Sequence, residues 1–168
     1  KYKNLNKNSI GIELVNKGHE FGYENFKKKQ LSSLIKITKN MKKKYKIKKE
    51  NIVGHSDVAP LRKIDPGEKF PWEKLAKKNI GIWHNYSPNL LKKFRGVKIF
   101  TKRDKIQFIK NLNNIGYCFP YTNKSTSFFT KIVKVFQRHY RKELINGYLD
   151  KECLVIAENL VKNLLKSS

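Results

Sequence analysis

Gly54-His55-Ser56-Asp57-Val58-Ala59-Pro60-Leu61-Arg62-Lys63-Ile64-Asp65-Pro66-Gly67 sets a histidine and an aspartate ten residues apart, at His55 and Asp65. A neutral imidazole and a carboxylate both suit Zn²⁺, and catalytic zinc sites take three protein ligands and leave a fourth position open. Pro60 and Pro66 push the residues before them out of helical conformation. The stretch therefore reads as a shaped loop. Lys63 stands where it could place a cation beside a metal, and Phe70-Pro71-Trp72 follows the loop. A short apolar strand, Asn51-Ile52-Val53-Gly54, feeds His55 into it.

Upstream, Ser9-Ile10-Gly11-Ile12-Glu13-Leu14-Val15-Asn16 alternates apolar and other residues and predicts a second strand. Ile10, Ile12 and Leu14 fall on one face and Glu13 on the other. A lone strand glutamate is ordinarily a solvent-facing charge. Beside a zinc site one carboxylate can serve as base for water and as acid for a leaving amine. From Phe26 to Tyr45, Leu31, Leu34, Ile35, Thr38 and Met41 recur at helical spacing, with lysines on the outer face. A short helix is expected over 73–78.

Between Gly81 and Arg103 periodicity is lost, and a linker is placed over 84–103. Beyond it the pattern is helical: Ile106 to Leu112, Phe128 to Tyr140 and Leu154 to Leu164, punctuated by Gly116 and Gly147. The expected division is 1–83, a linker over 84–103, and a small three-helix unit over 104–168.

The chain has 168 residues, with 38 Lys and Arg against 13 Asp and Glu, a formal net charge of +25. Such a field draws polyanions, whether nucleic acid, anionic lipid or wall polymers. The excess is mostly lysine, a solvated point charge rather than a bidentate phosphate reader. No basic helix, zinc finger or stacking-aromatic RNA motif is present, so specific nucleic-acid recognition is not expected. No apolar run reaches the length of a membrane span. Cys118 and Cys153 have no metal-type spacing; a disulfide and two buried free thiols are both open, with free thiols favoured. His19, His84 and His139 lack companions at ligand spacing and read as structural or exposed.

The successive motifs Ser9 to Glu13, Gly54 to Pro60, Arg62 to Gly67 and Phe70 to Trp72 resemble those of zinc-dependent N-acetylmuramoyl-L-alanine amidases of the AmpD/AmiD type. The resemblance implies a mixed α/β sheet flanked by helices over residues 1–83, with zinc as cofactor and peptidoglycan or muropeptides as substrate. It assigns His55 and Asp65 as zinc ligands, Glu13 as general base and Lys63 as the oxyanion-stabilising cation. The family's third ligand is a histidine on an earlier strand; none lies before Glu13 here, so it is expected upstream of Lys1, in an N-terminally truncated chain. Phe136-Gln137 and Asn146-Gly147, the latter with Asn where Asp is usual, resemble the three-helix peptidoglycan-binding domain. An amidase followed by that domain is the AmiD-like arrangement and implies a cell-envelope location, periplasmic or outer-membrane-associated. A non-catalytic wall-binding remnant that lost a ligand is the rival reading, and a charge-driven nucleic-acid binder a third.

Overall fold

Local signals in the sequence account for where the helices begin and end. The computed structural model describes residues 5–98, 101–117 and 125–167. Ser87, Thr101 and Ser125 each accept a hydrogen bond from the backbone N–H three residues on, capping the helices that follow. In chain order the helices are α1 (Leu5–Asn8), α2 (Lys28–Tyr45), α3 (His55–Val58), α4 (Trp72–Ala76), α5 (Pro88–Phe94), α6 (Lys102–Ile115), α7 (Thr126–Tyr140) and α8 (Lys151–Ser167). A 3₁₀ turn covers Lys49–Asn51. The periodicity of α2, α6, α7 and α8 thus reads through to the structure.

Two apolar clusters hold the chain together. The smaller centres on Leu34 of α2 with Phe70, Trp72, Leu75 and Ile80; Leu14, Phe26 and Ile52 lean on it. The larger joins Phe108 and Leu112 of α6, Ile132 and Phe136 of α7, and Ile156 and Leu160 of α8. Trp83 packs against both clusters. Phe136 and Tyr140 are core residues, 0% and 4% exposed.

The Phe-Gln and Asn-Gly motifs have a direct structural meaning. Gln137, fully buried, donates from Nε2 to Asn146 Oδ1 at 3.1 Å and to the Tyr148 carbonyl at 3.0 Å. Its Oε1 accepts the Gly147 N–H at 2.8 Å. One side chain therefore fastens the turn to α7. Gly147 has φ of +80°, and a Cβ there would meet Thr130 Cγ2 at 2.6 Å, so only glycine fits.

Three expectations need correction. Among the described residues there is no strand, only one isolated antiparallel bridge between Lys98 and Asp150. The stretch Ser9–Asn16 is extended but unladdered, with Ile10, Ile12 and Val15 exposed and Leu14 half-buried. Alternation fixes which side chains share a face; a strand also needs a neighbour to exchange backbone hydrogen bonds with, and no described segment forms a ladder with this one. The mixed sheet is therefore not part of the described structure. The second correction concerns His55–Val58, which is one helical turn closed by Ala59 N–H to the His55 carbonyl at 2.9 Å, not loop.

The third is the linker. Its Ser87-Pro88 start signal forms α5, which puts Leu91 into the larger cluster. Arg95 then pairs bidentately with the buried Glu152 of α8 at 2.8 and 2.7 Å, and Gly96 N–H reaches Asp150 at 3.0 Å. Charge density masked a segment that is tied to α8 and its start at Asn85, Arg95 and Gly96.

Cys118 lies outside the described residues. Cys153 is a free, buried thiol; burial, and then the Asp150 carboxylate, push its pKa up to about 12. Thiolate is the reactive form, so in a Cys118→Ser background a thiol reagent at pH 8 is expected to leave Cys153 unlabelled until denaturant is added. Rapid labelling of the folded chain would contradict that burial.

Candidate active site

The chain is closely packed where it enters the His55 turn. A Cβ on Gly54 would meet Pro66 Cδ at 2.7 Å, Asp57 Oδ2 at 3.2 Å and Trp72 Cζ2 at 3.3 Å, so the chain before His55 is pressed into the following turn. Ser56 N–H donates to the Asp65 carbonyl at 2.9 Å and staples the two ends of the motif together. The Asp65–Pro66 peptide bond is cis. Tyr23 holds the far side: its hydroxyl donates to the Pro66 carbonyl at 2.6 Å and accepts the Lys69 N–H at 3.0 Å. Burial, opposed by the Lys69 N–H hydrogen bond and reinforced by the Glu68 charge, carries the Tyr23 pKa up to about 12.

The motif thereby brings His55 and Asp65 side by side. His55 Nδ1 lies 3.0 Å from Asp65 Oδ2, and the two side chains are 45% and 58% exposed. Tetrahedral zinc holds N and O ligands at 2.0–2.2 Å, which separates two such atoms by roughly 3.4 Å. A few tenths of an ångström of opening would admit the ion, and the open side leaves space for further donors. The donor pair fits zinc.

Glu13 is exposed on the extended Ser9–Asn16 stretch, and Lys63, part-buried, follows α3 with its N–H on the Ala59 carbonyl at 3.0 Å. No group of three or more His, Cys, Asp or Glu able to hold a metal occurs among the described residues. His19 pairs with Glu68 at 3.1 Å, and Arg138 of α7 approaches the same carboxylate at 3.9 Å.

Asp57, within the motif but without an expected role, is the most heavily bonded group near the site. Its Oδ2 accepts the Gly54 N–H at 2.7 Å and faces His139 Nδ1 at 2.8 Å; its Oδ1 accepts the Tyr117 hydroxyl at 2.6 Å. Burial by itself would raise the Asp57 pKa. The attraction of His139 and the hydrogen bonds from His139, Tyr117 and Gly54 outweigh it and hold the carboxyl below the ordinary value. With Asp57 ionised, only a protonated Nδ1 can make that contact, so His139 donates. Burial and the Asp57 charge push the Tyr117 hydroxyl well above its usual pKa, so it stays a donor. Nothing in the sequence links these residues, which lie 60 and 82 positions from Asp57.

Residues 1–68 match the family model described as N-acetylmuramoyl-L-alanine amidase. The N-acetylmuramoyl-L-alanine amidase AmiD of Escherichia coli strain K12 is 35% identical over 163 residues, covering 94% of this chain and 58% of that protein. The 1,6-anhydro-N-acetylmuramyl-L-alanine amidase AmpD of Haemophilus influenzae is 45% identical over 67 residues, 39% of this chain and 34% of the relative. Among solved structures, AmpDh3 of Pseudomonas aeruginosa superposes with a TM-score of 0.79 at 32% identity, over 95% of this chain and 64% of that one. Escherichia coli AmiD in complex with the substrate anhydro-N-acetylmuramic acid-L-Ala-D-gamma-Glu-L-Lys gives a TM-score of 0.72 at 31% identity, over 84% and 55%. Residues 1–68 thus match the N-acetylmuramoyl-L-alanine amidase family model, and the chain as a whole is similar to the AmpD/AmiD-type amidases, spanning 58% of the AmiD it matches.

Proposed function

We propose that this chain is the part of a zinc-dependent amidase that carries His55 and Asp65. In this reading the enzyme hydrolyses the amide between the lactyl group of N-acetylmuramic acid and L-alanine, in peptidoglycan or muropeptides, for wall turnover or recycling. The convergence of His55 Nδ1 and Asp65 Oδ2 at 3.0 Å, inside the family-matched segment, carries the proposal. His55 and Asp65 would hold the ion. Zinc in such a site acts as a Lewis acid toward the scissile carbonyl and lowers the pKa of water.

The remaining steps fall to the chain's own groups. The Glu13 carboxylate takes a proton from the attacking water as its oxygen bonds to the carbonyl carbon. The C–N bond then breaks, and Glu13 returns that proton to the departing alanine nitrogen. The products are the lactyl carboxylic acid and a free amine. The Lys63 ammonium offsets the charge that develops on the carbonyl oxygen. Motif position supports both roles, and the exposed setting of Glu13 leaves it free to meet substrate. Residues 1–83 are the proposed catalytic part. Residues 104–168 are the proposed peptidoglycan-binding part, supported by the Gln137-fastened Asn146-Gly147 turn, with a cell-envelope location following from the substrate.

The rival, a wall-binding remnant without catalysis, draws on one observation: the described residues supply two donors rather than three. Zinc titration and peptide release from an anhydro-muropeptide separate the readings. The chain is expected to take up zinc weakly, and His55→Ala to abolish that uptake. Stoichiometric zinc retained by the variant would sink the ligand assignment. Sacculus binding without zinc uptake or peptide release would favour the remnant.

A further inference from the structure

We propose that Tyr117 and His139, on the C-terminal helices, are positioning residues for His55 and Asp65, acting through Asp57. The inference rests on the amidase reading above for what the positioned loop does, and on geometry alone for the positioning.

The loop needs outside support. α3 is a four-residue helix, far below the length at which a helix sustains itself in water. Beside its backbone bonds it is braced by the Asp57 side chain, whose Oδ2 accepts the Gly54 N–H at 2.7 Å. That carboxylate is 7% exposed and takes its two other donors from residues outside the motif.

Those donors are themselves fixed. Tyr117 follows Gly116, whose N–H closes α6 on the Leu112 and Asn113 carbonyls, both at 3.1 Å. His139 lies on the buried side of α7, its ring 4.2 Å from Trp72 and 4.0 Å from Tyr140, nearly parallel to both. The end of α6 and the stacking of His139 between Trp72 and Tyr140 thus set the position of two donors, and the donors set the position of one carboxylate. His55 stands two residues before Asp57, and the Ser56 N–H bond to the Asp65 carbonyl carries the constraint to the second ligand. On this view the C-terminal helices are a bracket for the site rather than a tethered appendage. Outer-shell partners of metal ligands commonly govern a 10–100-fold range in metal affinity.

The test uses the whole chain and two readouts, backbone amide exchange and zinc affinity by chelator competition. Tyr117→Phe removes one hydroxyl and keeps the ring; His139→Leu removes the imidazole; His139→Asn keeps a nitrogen donor near the Nδ1 position. Leu160→Ala, in the larger cluster and remote in role from Asp57, serves as a matched loss of stability. In Tyr117→Phe and His139→Leu the amides of Ser56, Asp57, Val58 and Ala59 are expected to exchange about tenfold faster, with α8 amides unchanged. The zinc dissociation constant is expected to rise about tenfold in the same variants. His139→Asn should recover much of both effects, and Leu160→Ala should lower the melting temperature while moving neither.

Wild-type loop exchange in Tyr117→Phe and His139→Leu would overturn the proposal. So would equal changes in Leu160→Ala, or faster loop exchange with unaltered zinc affinity. Should the parent chain take up no zinc, the amidase reading fails by itself. Loop exchange then still decides whether the bracket exists.

Discussion

Asp57→Ala is expected to lower folding stability by about 3–5 kcal/mol, since each buried donor left without a partner costs about 1–3 kcal/mol. The substitution strands three donors at once: His139 Nδ1–H, the Tyr117 hydroxyl and the Gly54 N–H. None can turn to water, because Asp57, His139 and Tyr117 are 7%, 6% and 4% exposed. Against a total stability of roughly 5–15 kcal/mol for an ordinary domain, that is a large share. Urea denaturation followed by tryptophan fluorescence gives the measurement, with Trp72 stacked on His139 as reporter. Asp57→Asn, which retains an acceptor for Tyr117, should fall between the two. A loss under about 1 kcal/mol for the alanine variant would show that water or rearrangement satisfies those donors.

The same carboxylate gives the chain an acid limit. Asp57 titrates below its ordinary 3.8 in the folded state. Its contribution is therefore complete above the unfolded value and is lost as pH falls through the lower folded value. The stability gap between the parent chain and Asp57→Asn should accordingly be steady above about pH 4 and narrow below it. A gap that closes instead between pH 6 and 8 would mean that another group governs it.

What the sequence disclosed, and what it concealed, follows from how far apart the interacting residues lie. Leu31, Leu34, Ile35 and Thr38 announce α2 because helix periodicity is a property of neighbours. The Asn146-Gly147 turn is legible for the same reason. His55 and Asp65 are ten positions apart within a proline-shaped motif, and they do meet. Ser9–Asn16 carries an equally clean pattern, but a ladder partner is not a local property, and none lies among the described residues. The 84–103 stretch misled in the other direction. Its lysines suggested a solvated linker, while Ser87-Pro88 and Leu91 already held a cap, a helix start and a core contact. Asp57 was visible only as one more motif residue, because its partners enter from helices whose packing no local pattern specifies. Its tie to Tyr117 and His139 is a tertiary fact.

Glu13→Gln is the substitution from which the largest kinetic effect is expected. The side chain is exposed on an extended stretch, so exchange of one carboxylate oxygen for an amide should leave stability within about 0.5 kcal/mol. Zinc uptake should likewise hold, since His55 and Asp65 form their pair without Glu13. Turnover has no such tolerance. Glutamine keeps the shape and a hydrogen-bonding oxygen, but it cannot accept a proton from water or return one to the alanine nitrogen. Positioned acid–base catalysis contributes a factor of about 10²–10⁴, and that is the expected loss in peptide release from a muropeptide. The comparison that matters is rate against metal content in one preparation. Slow turnover with zinc retained assigns Glu13 the proton transfer. Slow turnover with zinc lost would make it a ligand, and a near-parental rate would return it to the ordinary status of an exposed glutamate, with the base still to be found.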